Sequence, residues 1–131
     1  MAAETNLDTL LKTIKPKLNT GDFVFCTTKN LTQIDLLDIV LIFKEEEEGF
    51  TLIINRDIAD KLKLSYSFVA SWITLTVHSS LEAVGLTAAF SKALADQGIS
   101  CNVVAAYNHD HIFVSKKDTD KAMKILSKLS E

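Results

Sequence analysis

The residues best suited to chemistry fall in two places. His109-Asp110-His111 sets two imidazoles around a carboxylate, groups that serve as metal ligands or as a general acid/base pair. With no third ligand nearby and His78 distant in sequence, the expected role is instead a hairpin turn in which Asp110 accepts backbone N–H bonds. Farther back, Ser79-Ser80-Leu81-Glu82 has capping-box spacing. Ser79 would cap a helix starting at about residue 80, and Glu82 would reach back to the cap. A helix start also offers unpaired amides and a partial positive charge to a carboxylate. Gly85 would leave room for close approach, and Glu82 would welcome an ammonium group. A self-satisfied cap and a zwitterion site are thus both consistent with this stretch.

Other chemistries lack their residues. Ser79 and Ser80 are not in a G-x-S-x-G elbow, and neither Cys26 nor Cys101 has C-x-x-C spacing or a positioned base. Both cysteines sit in apolar alternating segments and are expected to be reduced core thiols. Gly21, Gly49, Gly85 and Gly98 are too scattered to form a phosphate loop. Hence neither an enzyme nor a cofactor is expected. A net charge of -3 and a single arginine, Arg56, argue against a nucleic-acid partner. No stretch approaches the ~18 apolar residues of a membrane span, and the first residues lack the features of an export signal. A cytoplasmic protein without a membrane partner is expected.

The elements that position these groups follow from patterning. The chain has 131 residues, of which 47% are apolar, enough for one ordinary domain or two very small ones sharing a sheet. Leu7, Leu10, Leu11, Ile14 and Leu18 mark an amphipathic helix that Pro16 ends near Lys15. A strand over Asp22 to Thr27 follows. Then comes an ambiguous link from Lys29 to Asp38, and a hairpin of Ile39 to Phe43 with Phe50 to Ile54. Its tip, Glu45 to Glu48, reads as a solvated turn or an acidic docking patch. A short helix with Ile58, Ala59, Leu62 and Leu64 is opened by Asn55 or Asp57.

Strict alternation in Trp72 to His78 puts Ile73, Leu75 and Val77 on one face of a strand and Trp72, Thr74, Thr76 and His78 on the other. Trp72 is then a second-layer core residue or an anchor at a subunit contact. Leu86, Phe90 and Leu94 continue one face of the next helix. Gly98 is expected at C′ and Ile99 at C″, against Leu94 at C3. Strands over Ile99 to Ala106 and Ile112 to Val114 precede a last helix capped by Asp118 or Thr119. Ala122, Ile125, Leu126 and Leu129 form its buried face, and lysines 116, 117, 121, 124 and 128 its exposed side. The second half therefore runs β-α-β-β-α, and the first half is a degraded repeat at a period of about sixty residues.

Three blocks carry a resemblance: Ser79 to Leu86, Gly98 to Ala105, and His109 to Val114. They resemble the small stand-alone ACT-domain proteins of bacteria and fungi, strongly over residues 71–131. The likeness is weaker in the first half, at Gly21 to Phe25 and Glu48 to Leu52. The family is similar to aspartate kinase regulatory domains and to the cytosolic arginine sensor of animals. The resemblance implies an α+β, ferredoxin-like fold with two ACT-type units, 1–70 (degenerate) and 71–131, sharing or extending one antiparallel sheet.

It also implies an amino-acid site where the turn after the first strand of one unit meets an edge strand of a neighbour. By motif position these are Ser79, Ser80, Leu81, Glu82, Val84 and Gly85 on the turn, and Ile99, Asn102 and Val103 on the strand. The acidic-x-Pro-Gly turn of enzyme-linked ACT domains is absent. The expected function is a non-catalytic regulatory or sensor module for a small molecule, an amino acid by the family's pattern, in a homodimer. The alternative is a ligand-free interaction module that dimerises by sheet extension.

Overall fold

The computed structural model of the chain describes residues 6–45, 47–76 and 82–131. It divides into two compact units, Gly21–Ala70 and Met1–Thr20 with Ser71–Glu131. The leader segment, up to Thr20, groups with residues 71–131.

The leader is α1 (Leu7–Thr13) and β1 (Pro16–Leu18). Asn6 caps α1, its side chain accepting from the Thr9 amide at 3.1 Å. Pro16 cannot donate in a helix and biases Lys15 toward an extended conformation, so the apolar stripe breaks. Leu10 and Ile14 go into the core, whereas Leu18, expected on the same helical face, is an exposed strand residue. The register Pro16↔Leu75, Lys17↔Thr74, Leu18↔Ile73 sets β1 antiparallel to β5 (Val69–Leu75).

The rest of the C-terminal unit is α3 (Leu86–Ala95), β6 (Asn102–Ala105), β7 (Asp110–Ser115), a 3-10 turn (Lys116–Asp118) and α4 (Thr119–Lys128). Its strands lie in the order β1-β5-β7-β6. Alternation aims Ile73 and Leu75 of β5, with Ile112 and Val114 of β7, at one face. There they pack with Leu10 and Ile14 of α1, Leu86, Phe90 and Leu94 of α3, and Ala122 and Leu126 of α4. The end of α3 is as the sequence predicts. Gly98 takes φ +76°, the Ile99 amide donates to Leu94 O at 3.0 Å and the Gly98 amide to Ala95 O at 2.9 Å, the bond pair of a Schellman ending.

The other unit holds β2 (Phe23–Thr28), β3 (Ile39–Glu45), β4 (Gly49–Asn55) and α2 (Arg56–Lys61), closed by Val69 and Ala70 at the start of β5. Here the order is β3-β4-β2-β5, and β3–β4, β4–β2 and β2–β5 all pair antiparallel. The ambiguous link is two 3-10 turns, Leu31–Gln33 and Leu36–Asp38, capped by Asn30 and Asp35. They stand where a ferredoxin-like repeat carries its first helix. Ile34 reaches into a core of Val24, Cys26, Leu52, Ile54 and Ala59.

Because Leu10 is fully buried among residues distant in sequence, Leu10→Ala is expected to cost about 2–5 kcal/mol through lost transfer energy and a cavity. Urea unfolding should show a lower midpoint; a loss below about 1 kcal/mol would mean that α1 contributes little to the core.

Candidate functional site

The turn ahead of α3 differs from its sequence reading. The helix begins at Leu86 rather than near residue 80, and its N-cap is Gly85, with φ 98° and no side-chain cap bond. Glu82 lies in a turn outside the helix, so it cannot be the third helical residue of a capping box. Ser79, Ser80 and Leu81 lie outside the described residues. Gly85 is favoured here because its φ is one that other residues rarely adopt, and an added Cβ would stand 3.1 Å from Leu7 Cδ2 of α1, which would have to give way. No side chain at the cap position competes for the amides of the first turn of α3. Val84 is 82% exposed beside this helix start.

The predicted strand residues scatter. Ile99 is buried in the core just before β6 begins, and Val103 packs partly against the same core. Asn102 is exposed, its Nδ2 donating to Phe113 O at 3.2 Å across the β6–β7 pair. Within this unit β7 separates β6 from β5, the strand that leads toward the turn.

His109, Asp110 and His111 do not form the turn expected of them. The hairpin closes one step earlier, where the Ala106 amide donates to His109 O at 3.1 Å, and Asp110 and His111 are the first residues of β7. The β6–β7 register pairs Asp110 with Ala105 and His111 with Val104. His111 Nδ1 accepts from Trp72 Nε1 at 3.0 Å and lies 3.1 Å from Thr74 Oγ1. Indole N–H can only donate, so Nδ1 carries no proton and the neutral ring is protonated on Nε2.

Asn19 Nδ2 extends this network, donating to Thr74 Oγ1 at 2.9 Å and to Trp72 O at 3.2 Å. Trp72 also stacks on Phe113, with centroids 6.1 Å apart and planes at 21°. Alternation in β5 signals that Trp72 and Thr74 share a face. Neither Asn19 nor the pairing with His111 has a local signature, because both depend on strands distant in sequence.

Burial, aided by His109, lowers the His111 pKa against the opposing pull of Asp110. Burial raises the Asp110 carboxyl despite both neighbouring histidines. Among the described residues no group of three or more His, Cys, Asp or Glu is placed to hold a metal. Both cysteines are free, and burial pushes the Cys101 thiol up to about 11 and raises Cys26 as well. A thiol at about 11 has little thiolate at neutral pH, so Cys101 is poorly suited to nucleophilic work. Among the described residues no helix is long and apolar enough to cross a membrane.

Two family models match the chain, both described as ACT domain, over residues 2–71 and 67–128. A Vibrio cholerae protein of unknown function, described as a possible transport protein, is 45% identical with a TM-score of 0.83, covering 95% of this chain and 96% of its own. An Agrobacterium tumefaciens protein is 18% identical with a TM-score of 0.69, covering 89% of each chain. The ligand-free regulatory subunit of Thermus thermophilus aspartate kinase is 8% identical with a TM-score of 0.58, over 92% of this chain and all 100% of that one. The last two likenesses are of fold alone. No curated protein matches the chain.

Trp72 is the single tryptophan, so its fluorescence reports the His111 bond directly. Protonating Nδ1 removes the acceptor, and the lowered folded pKa means that the unfolded chain binds this proton more readily. The His111 contribution to stability is therefore full above about pH 6.5 and falls as the pH drops from there through the folded pKa. Asp110, with its raised pKa, acts in the opposite sense as it protonates. Tryptophan emission is expected to titrate below the ordinary histidine range and to lose that transition in His111→Gln but not in His109→Asn. A transition that survives His111→Gln would assign it elsewhere.

Proposed function

Because the chain belongs to the ACT-domain family, we propose that it is a non-catalytic regulatory module that senses a free amino acid in the cytoplasm. ACT domains typically bind small molecules and often dimerise. The carrying observation is the start of α3: a ten-residue helix whose N-cap is Gly85, a residue with no side chain to bond the amides of the first turn. Such a helix start attracts a carboxylate through its amides and dipole. Glu82, three residues ahead of Gly85, supplies the charge an ammonium group needs, so one free amino acid satisfies both. The turn from Ser79 to Gly85 is the proposed ligand segment, completed by the β6 edge around Asn102 and Val103.

Since β7 stands between β5 and β6 within the unit, a site using both the turn and this edge is supplied by two copies. That favours a homodimer. A second reading rests on β3, at the end of its unit's strand order, with Phe43 63% exposed. An edge of this kind invites pairing without any ligand.

A thermal-shift panel of the twenty amino acids tests the first reading. A ligand at ~100 times its Kd should add ~2.7 kcal/mol of stability. Glu82→Gln and Asn102→Ala are expected to weaken that shift, and Glu82→Gln most, through the lost partner of the ammonium group. A flat panel, or a shift untouched by both substitutions, would remove the amino-acid site and leave the interaction module.

A further inference from the structure

The charge on this chain is segregated. Its net charge is -3, yet Lys116, Lys117, Lys121, Lys124 and Lys128 crowd one short C-terminal stretch. Lys121, Lys124 and Lys128 are spaced i, i+3 and i+7 along α4, so they share a face. They border a groove of about 480 Å³ between α3 and α4, whose other lining residues are Ala93, Gln97, Ile125 and Leu129. Ile125 and Leu129 are half-buried and give it an apolar floor. Lys121 Nζ donates to Gln97 O at 3.1 Å, which ties one lysine to the opposite wall. Among the described residues no carboxylate lines the groove, and Asp96 on α3 is paired with Lys92 at 2.7 Å.

The complementary element is on the same chain. In the β3–β4 hairpin Phe43 is 63% exposed, and Glu45, two residues on, lies on the same face of β3. Glu47 and Glu48 are exposed at the tip. Glu45 and Glu48 are tied to neighbouring strands: Thr27 Oγ1 donates to Glu48 O at 3.1 Å, and Thr51 Oγ1 bonds Glu45 Oε1. One exposed aromatic beside a set of carboxylates matches an apolar floor rimmed by ammonium groups. Complementary surfaces of this kind favour encounter and fix register.

We propose that the groove between α3 and α4 docks the acidic β3–β4 hairpin of a second copy of this chain, with Phe43 on the apolar floor and the glutamates against Lys121, Lys124 and Lys128. Two different surfaces meet in this contact, so each copy offers both a groove and a hairpin. It needs no bound ligand, so it stands or falls separately from the amino-acid site.

Sedimentation velocity on the full chain, across a concentration series at low and high salt, tests it. Self-association is expected to weaken as salt screens the charges. Lys124→Glu with Lys128→Glu should weaken it at least about tenfold, and so should Glu47→Lys with Glu48→Lys, because like charges would then face each other. Mixing the two double variants should restore association, since each supplies the surface the other needs; this rescue also shows that both are folded. Phe43→Ser should weaken association at every salt concentration. A protein monomeric throughout, or an association indifferent to salt and to both reversals, would overturn the proposal. A monomer that co-sediments with anionic phospholipid vesicles, and loses them in the lysine double variant, would overturn it in favour of a lipid surface.

Discussion

A sheet that buries Ile73, Leu75, Ile112 and Val114 on one face must have that face covered, and α3 and α4 do not do it alone. The missing cover is α1, whose Leu10 and Ile14 close the same cluster. The missing strand is β1, which extends the sheet along β5. The Asn19 amide and side chain both donate to Trp72 O, and the Thr76 amide donates to Lys15 O. The leader is thereby tied to β5 beyond the three residues of the ladder. One short segment thus supplies a helix, an edge strand and a polar anchor to a unit whose remaining residues begin fifty positions later in the chain.

That constraint reaches the candidate site. Leu7, at the start of α1, stands against Gly85, at the start of α3. Position 85 and the seating of the leader are therefore linked, because a side chain there would press on Leu7 of α1. Glycine here allows the backbone both its positive φ and its close approach. The N-cap residue of the resulting helix start therefore makes no side-chain cap bond.

The sheet of the same unit carries a second arrangement, Asn19-Thr74-His111-Trp72. Thr74 is buried, and a buried hydroxyl without a partner would be costly. Each group in the network answers a need of its neighbour, and this holds His111 neutral. The triplet His109-Asp110-His111, conspicuous as a sequence, is thus divided by the structure: His109 closes the turn with its carbonyl, whereas His111 serves the sheet. Charge is divided similarly, with basic groups on α4 and acidic ones at the β3–β4 tip.

What the sequence determined by itself is local. Periodicity placed α1, α4 and the hairpins. Asn55 and Asp57 marked the start of α2, which Asn55 caps, and Gly98 with Ile99 marked the end of α3, because these signals act within one turn of backbone. The family blocks pointed to the ACT fold. Serine and glutamate at capping-box spacing also placed the start of α3 six residues early, because Gly85 with Leu7 packed against it sets that boundary from outside the segment. Tertiary structure alone decided which unit owns the leader, that Pro16–Leu18 is a strand, and that His111 meets Trp72. In each case the deciding partner is far along the chain, and the pairing of distant strands leaves no local mark in the residues that it joins.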